Sequence, residues 1–176
     1  YVNGAFDYQA SGHAAVGQLD DDPGLETVVT ADFDVVLLDD PATCPDPAVD
    51  ADGCVLWAVE EAIGSSDPIT GTTGTPANAP GIVDFDEDGS PEIYVGGTVL
   101  DPADGSVIAQ ADGSAARGPF GVRIPAAADV DQDGFPELLT GNCAFDVNVE
   151  AGTLTTVWCS REFSQGLPGV ADLLDT

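Results

Sequence analysis

The chain has 176 residues, 32 of them acidic against three arginines and no lysine, and a formal net charge of −29. Three cations cannot build a basic patch for nucleic acid, and they disfavour docking on an anionic membrane surface. No run of 18 apolar residues is present to span a bilayer, yet 43% of the residues are apolar, enough for a buried core rather than a disordered acidic tail.

The start, Tyr1-Val2-Asn3-Gly4, is neither an initiator Met nor a signal peptide, so the chain reads as processed or cut from something longer. Its length suits one domain or part of one. With 21 Gly and 13 Pro punctuating short apolar runs, the pattern reads as turn-rich and all-β. In chain order, β-branched and aromatic runs predict strands at 26–31, 33–38, 54–59, 92–95, 106–108, 143–149 and 153–158. Turns at Asp52-Gly53, Asp104-Gly105 and Ala151-Gly152 precede the last strand of each unit. Trp57 and Trp158 hold matching places on those last strands, where the middle unit has Ala109, and read as packing between units.

Four cysteines fall in two local pairs. Their short spacing favours Cys44–Cys54 and Cys143–Cys159 disulfides over crossed pairings or free thiols, and hence an oxidising compartment. A zinc site is disfavoured, because no C-x-x-C pair occurs and His13 is the only histidine. His13 reads as a strand residue rather than a general base.

A repeat organises the chain. One copy contains Asp84-Phe85-Asp86-Glu87-Asp88-Gly89-Ser90-Pro91-Glu92, and a second contains Asp129-Val130-Asp131-Gln132-Asp133-Gly134-Phe135-Pro136-Glu137. A degenerate copy runs from Gln18 to Glu26, and a fourth begins at Pro168. The closing glutamates Glu26, Glu92 and Glu137 lie 66 and 45 residues apart, the longer interval holding the insertion with Cys44 and Cys54. Periods in the forties suit four-stranded propeller blades, here about 13–60, 79–110 and 122–160, with a further blade starting at 168. The expected fold is therefore a partial β-propeller of antiparallel four-stranded blades. Three blades cannot close a ring, which points to further blades in the same polypeptide or in neighbouring copies.

Each intact loop places acids at positions 1, 3, 5 and 9, with Gly at position 6 for a sharp turn. Alternate side chains then converge, and oxygen ligands in this number suit Ca²⁺. It is not an EF-hand, which needs an acid at position 12, where these loops have Val95 and Thr140. In the first loop Gln18 replaces the leading Asp, offering a neutral oxygen, and Pro23 replaces the Gly. Asp20, Asp22, Gly24 and Glu26 complete that weaker candidate set.

These motifs resemble the FG-GAP (VCBS-like) repeats of β-propellers found in integrin α-subunit heads and secreted bacterial proteins. The resemblance implies one calcium ion per intact loop, held by side chains 1, 3, 5 and 9 and the carbonyl at 7. On this chain those are Asp84, Asp86, Asp88, Ser90 and Glu92, then Asp129, Asp131, Asp133, Phe135 and Glu137. The Phe-Gly and Gly-Ala-Pro signatures of the integrin versions are absent, so integrin-like recognition is not implied. The expected function is a non-catalytic, calcium-stabilised extracellular module for protein or glycan binding, adhesion or scaffolding. The alternatives are the propeller domain of a polysaccharide lyase or hydrolase, with only Arg117, Arg123 and Arg161 as cations, or a structural subunit of a surface polymer.

Overall fold

The computed structural model describes residues 13–20, 22–31, 34–40, 54–59, 77–111, 122–160 and 170. Strands β1 (Ala14–Gly17), β2 (Glu26–Ala31), β3 (Asp34–Leu38) and β4 (Val55–Val59) form a first antiparallel sheet. The short β5 (Ala77–Asn78) leads into β6 (Pro80–Val83), β7 (Glu92–Val95), β8 (Thr98–Leu100) and β9 (Val107–Gln110), the second sheet. Likewise β10 (Val122–Arg123) precedes β11 (Ala126–Ala128), β12 (Glu137–Thr140), β13 (Cys143–Asn148) and β14 (Thr153–Cys159), the third. Each sheet is an up-and-down meander in chain order. The strands expected at 26–31 and 92–95 match β2 and β7, and the others shift by one or two residues at an end. No helix occurs among the described residues, and none is long and apolar enough to cross a membrane.

The sheets stack face to face, with the second in the middle. Alternation along β7 explains how: Ile93 and Val95 point one way and Tyr94 the other. Ile93, Val95 and Leu100 join Val28, Val35 and Leu37 in one buried cluster between the first and second sheets. On the opposite face Phe85, Val99 and Ala109 meet Leu138 of the third sheet, with Tyr94 packed alongside. Each such aliphatic side chain contributes about 1.5–3 kcal/mol on full burial. Apolar runs without strict alternation therefore reflect a sheet covered on both faces. Gly81 is required opposite Tyr94, because a Cβ there would lie 2.1 Å from the tyrosine Cζ. The freed space lets the Tyr94 ring meet Phe85 edge-on at 5.9 Å.

The three sheets share a detail that the sequence did not announce. Each has a register shift between its third and fourth strands, just after the pairs Leu37↔Trp57, Val99↔Ala109 and Ala144↔Trp158. The bulges thus confirm that Trp57, Ala109 and Trp158 are equivalent positions. Trp57 does pack between units: its indole Nε1 donates to the Pro102 carbonyl at 2.7 Å, in the turn of the next sheet. Trp158 is 49% exposed.

Cys143 and Cys159 face each other across β13 and β14 and form a disulfide, as expected. In the chain-entropy model, closing a loop of that length is worth about 3 kcal/mol. Cys54 is also disulfide-bonded; its expected partner Cys44 lies outside the described residues, as do Arg117, Arg161 and nearly all of the fourth repeat copy from Pro168. His13 is exposed and sits one residue before β1, not within it.

Two short strands escaped the sequence reading. β5 and β10 pair in parallel, Ala77 with Val122 and Asn78 with Arg123. Two-residue strands carry no periodicity to detect.

Candidate metal centres

Each Asp loop joins the first strand of a sheet to the second. Its shape comes from carboxylates that accept the loop's own backbone N–H groups, and the scheme recurs three times. The position-9 glutamate turns back to the position-2 N–H: Glu26 to Leu19 at 2.5 Å, Glu92 to Phe85 at 2.9 Å and Glu137 to Val130 at 2.6 Å. All three glutamates are buried at the head of the second strand. The position-3 Asp accepts from the position-5 N–H in Asp20, Asp86 and Asp131, at 2.8, 3.3 and 3.1 Å. The position-5 Asp accepts from the position-7 N–H of Gly24, Ser90 or Phe135, at 2.6, 2.7 and 2.9 Å. These are Asx turns, the local bonding that favours Asp in loops.

In the second and third loops the position-1 carboxylate spans the turn. Asp84 accepts from the Gly89 N–H at 2.8 Å, and Asp129 from the Gly134 N–H at 3.1 Å. Both glycines have positive φ, +95° and +103°, as the sharp turn demands. The residue at position 4 is left-handed too, Glu87 at 57° and Gln132 at 65°, a strain that spacing alone does not reveal.

The result is three convergent acidic groups. Carboxylate oxygens of Asp129, Asp131, Asp133 and Glu137 lie within 4.8 Å of one another, as do those of Asp84, Asp86 and Glu92, and of Asp20, Asp22 and Glu26. Asp88 lies outside its group at that distance, whereas its counterpart Asp133 is inside. Gln18 is arranged differently from the position-1 aspartates. Its amide nitrogen, not its oxygen, faces the loop and donates to the carbonyls of Asp20 and Asp22.

The electrostatics fit a cation. Burial, then the charges of Asp86 and Asp84, push the Glu92 carboxyl up to about 7 despite its bond from Phe85. Burial also raises Glu137, with Asp131 and Asp133 adding to it. A hard divalent ion among these oxygens would relieve both the desolvation and the repulsion. With only carboxylates in the groups, the donor chemistry suits a hard divalent cation better than zinc or copper.

A further acid accompanies each loop and was missed in the sequence. Continuing the ladders by one step beyond Thr27↔Leu38, Ile93↔Leu100 and Leu138↔Phe145 sets Asp39, Asp101 and Asp146 opposite the position-9 glutamates. Burial and then the charges of Asp131 and Asp133 raise the Asp146 carboxyl, so it senses the third loop. The available signal was an Asp nine residues after Glu92 and again after Glu137.

No protein-family model matches the chain, and no curated protein matches it. Among solved structures, the V. cholerae biofilm matrix protein Bap1 is similar in fold, with a TM-score of 0.56 at 18% sequence identity. The match covers 92% of this chain, which spans 22% of the length of that one.

Proposed function

We propose that the chain is a calcium-stapled segment of an extracellular β-propeller of FG-GAP (VCBS-like) type, serving adhesion or scaffolding rather than catalysis. The observation that carries this reading is the repetition of one carboxylate network at the same place in three consecutive sheets. Repetition of a whole hydrogen-bond scheme, including the buried glutamate, goes beyond an acidic surface. Calcium in the loops at 84–92 and 129–137 then fixes the entry to the second strand of each sheet. Binding energy becomes folding energy, because the convergent charges repel without the ion.

The stacking supports a ring of blades. First strands neighbour one another, β6 lying against both β1 and β11, and the outer strands β9 and β14 also meet. Trp158 repeats the position from which Trp57 grips the next sheet, so a further sheet, in the same polypeptide or a neighbouring copy, would cover it. The disulfide suits an oxidising exterior. The similar fold belongs to a biofilm matrix protein, in line with a matrix or surface role. Among the described residues the buried acids are Glu26, Glu92 and Glu137, all engaged in loops, which favours a non-catalytic reading.

Thermal melting in calcium and in excess chelator tests it. At calcium a hundredfold above Kd each site adds about 2.7 kcal/mol, so two sites shift Tm by about 10–20 °C at this chain length. An unchanged melting curve would refute the calcium assignment.

A further inference from the structure

We infer that the first loop is a third divalent-cation site of different build, anchored by Glu26 with Asp20 and Asp22, in which Gln18 is a brace and not a ligand. This rests on the calcium reading of the two intact loops.

The argument begins at position 6. Pro23 has no N–H, so a position-1 carboxylate there would lose the partner that Gly89 gives Asp84 and Gly134 gives Asp129. The loop reverses the polarity of that contact. Gln18 donates its amide N–H to the carbonyls of Asp20 and Asp22 instead of accepting. The two departures from the motif therefore compensate each other. The turn is held without a position-1 anion, and the group aimed inward is a donor, which cannot ligate a cation.

The second observation is Glu26. Its side chain is fully buried, with 0% exposure. One oxygen accepts from the Leu19 N–H, and the other, Oε1, has no hydrogen-bond partner. Among the described residues it is the one buried carboxylate oxygen in that condition. Leaving such an oxygen bare is costly, and a cation beside it removes the cost. Asp20 and Asp22 supply oxygens within 4.8 Å. Glu26 and Asp20 also line a cavity of about 650 Å³, a path by which an ion could reach them. The first loop carries three acids at motif positions against four in each intact loop, with Gln18 where they have Asp84 and Asp129, so the site binds more weakly.

Calcium titration of the metal-free full chain by calorimetry tests the inference. Three ions are expected, the third binding about tenfold or more weakly than the others. Glu26→Gln removes only that ion. So does Asp20→Asn, at an exposed position where misfolding is not at issue. Gln18→Ala keeps three ions and weakens the third less than tenfold. Two ions in the wild type, or three persisting in both acid variants, would overturn the third site while leaving the intact loops standing. Loss of the ion in Gln18→Ala would overturn the brace role. No binding at all would overturn both readings.

Discussion

The first and third sheets solve the same problem with opposite polarity. In the third loop Asp129 accepts from a glycine N–H, and four carboxylates converge. In the first, Gln18 donates to carbonyls, proline stands where the glycine was, and three carboxylates converge. Yet the bonds made by positions 3, 5 and 9 are the same in both. The glutamate return and the two Asx turns are thus the invariant frame, and the position 1 to 6 contact is the adjustable part. The tryptophans differ in the same two sheets: Trp57 reaches a neighbouring turn, and Trp158 remains half exposed.

The largest expected effect separates the tryptophans. Trp57→Ala removes packing between the first and second sheets and should cost about 2–3 kcal/mol. Trp158→Ala should cost less than about 1 kcal/mol, as surface changes do. Equal losses in urea denaturation would show that Trp158 is already covered in solution. Next comes Asp131→Ala, which should remove one strong site and lower Tm in calcium by about 5–10 °C. Asp20→Ala should lower it by less than half as much, and a larger drop would reverse the ranking of the loops.

A smaller effect tests the compensation itself. Gln18→Asp or Pro23→Gly alone should weaken the first loop, while the double variant should restore it. The coupling expected between contacting residues is about 1 kcal/mol. Additive single effects would show that the two departures are unrelated.

A separate effect is a pH dependence. In chelator, the folded chain keeps a proton on Glu92 up to about pH 7, whereas the unfolded chain releases it near the ordinary glutamate value. Stability should therefore fall as pH rises from about 4.5 to about 7. Glu92→Gln should flatten that slope, read from urea midpoints at pH 5 and 7.5. Calcium displaces the proton, so its stabilisation should be larger at pH 7.5. A slope unchanged by Glu92→Gln would place its origin elsewhere.

Much of this was legible in the residues. The D-x-D-x-D-G-x-P-E spacing located two loops, and the glutamate period gave the three units. The Trp57 and Trp158 equivalence was readable too, because each lies on the last strand of its unit, after a turn. What was not legible depended on the direction of hydrogen bonds. Gln carries both an oxygen and an N–H₂ group, and only the placement of the Asp20 and Asp22 carbonyls decides which one faces the loop. The position of Asp88 was not legible for a related reason: spacing puts an acid at the right place in the chain without fixing where its carboxylate goes. Asp39, Asp101 and Asp146 were overlooked because their relation to the loops runs across a ladder, not along the sequence.

The sequence by itself determined the all-β class, the repeat, the local Cys143–Cys159 bridge and the hard-oxygen chemistry, since these follow from spacing, turn preference and composition within short stretches. Only the tertiary structure decided that the middle sheet is covered on both faces, that Glu26 is buried with one oxygen bare, and that Trp57 is gripped while Trp158 is not. Those outcomes depend on which sheet faces which, and burial is a property of neighbours far apart in the chain.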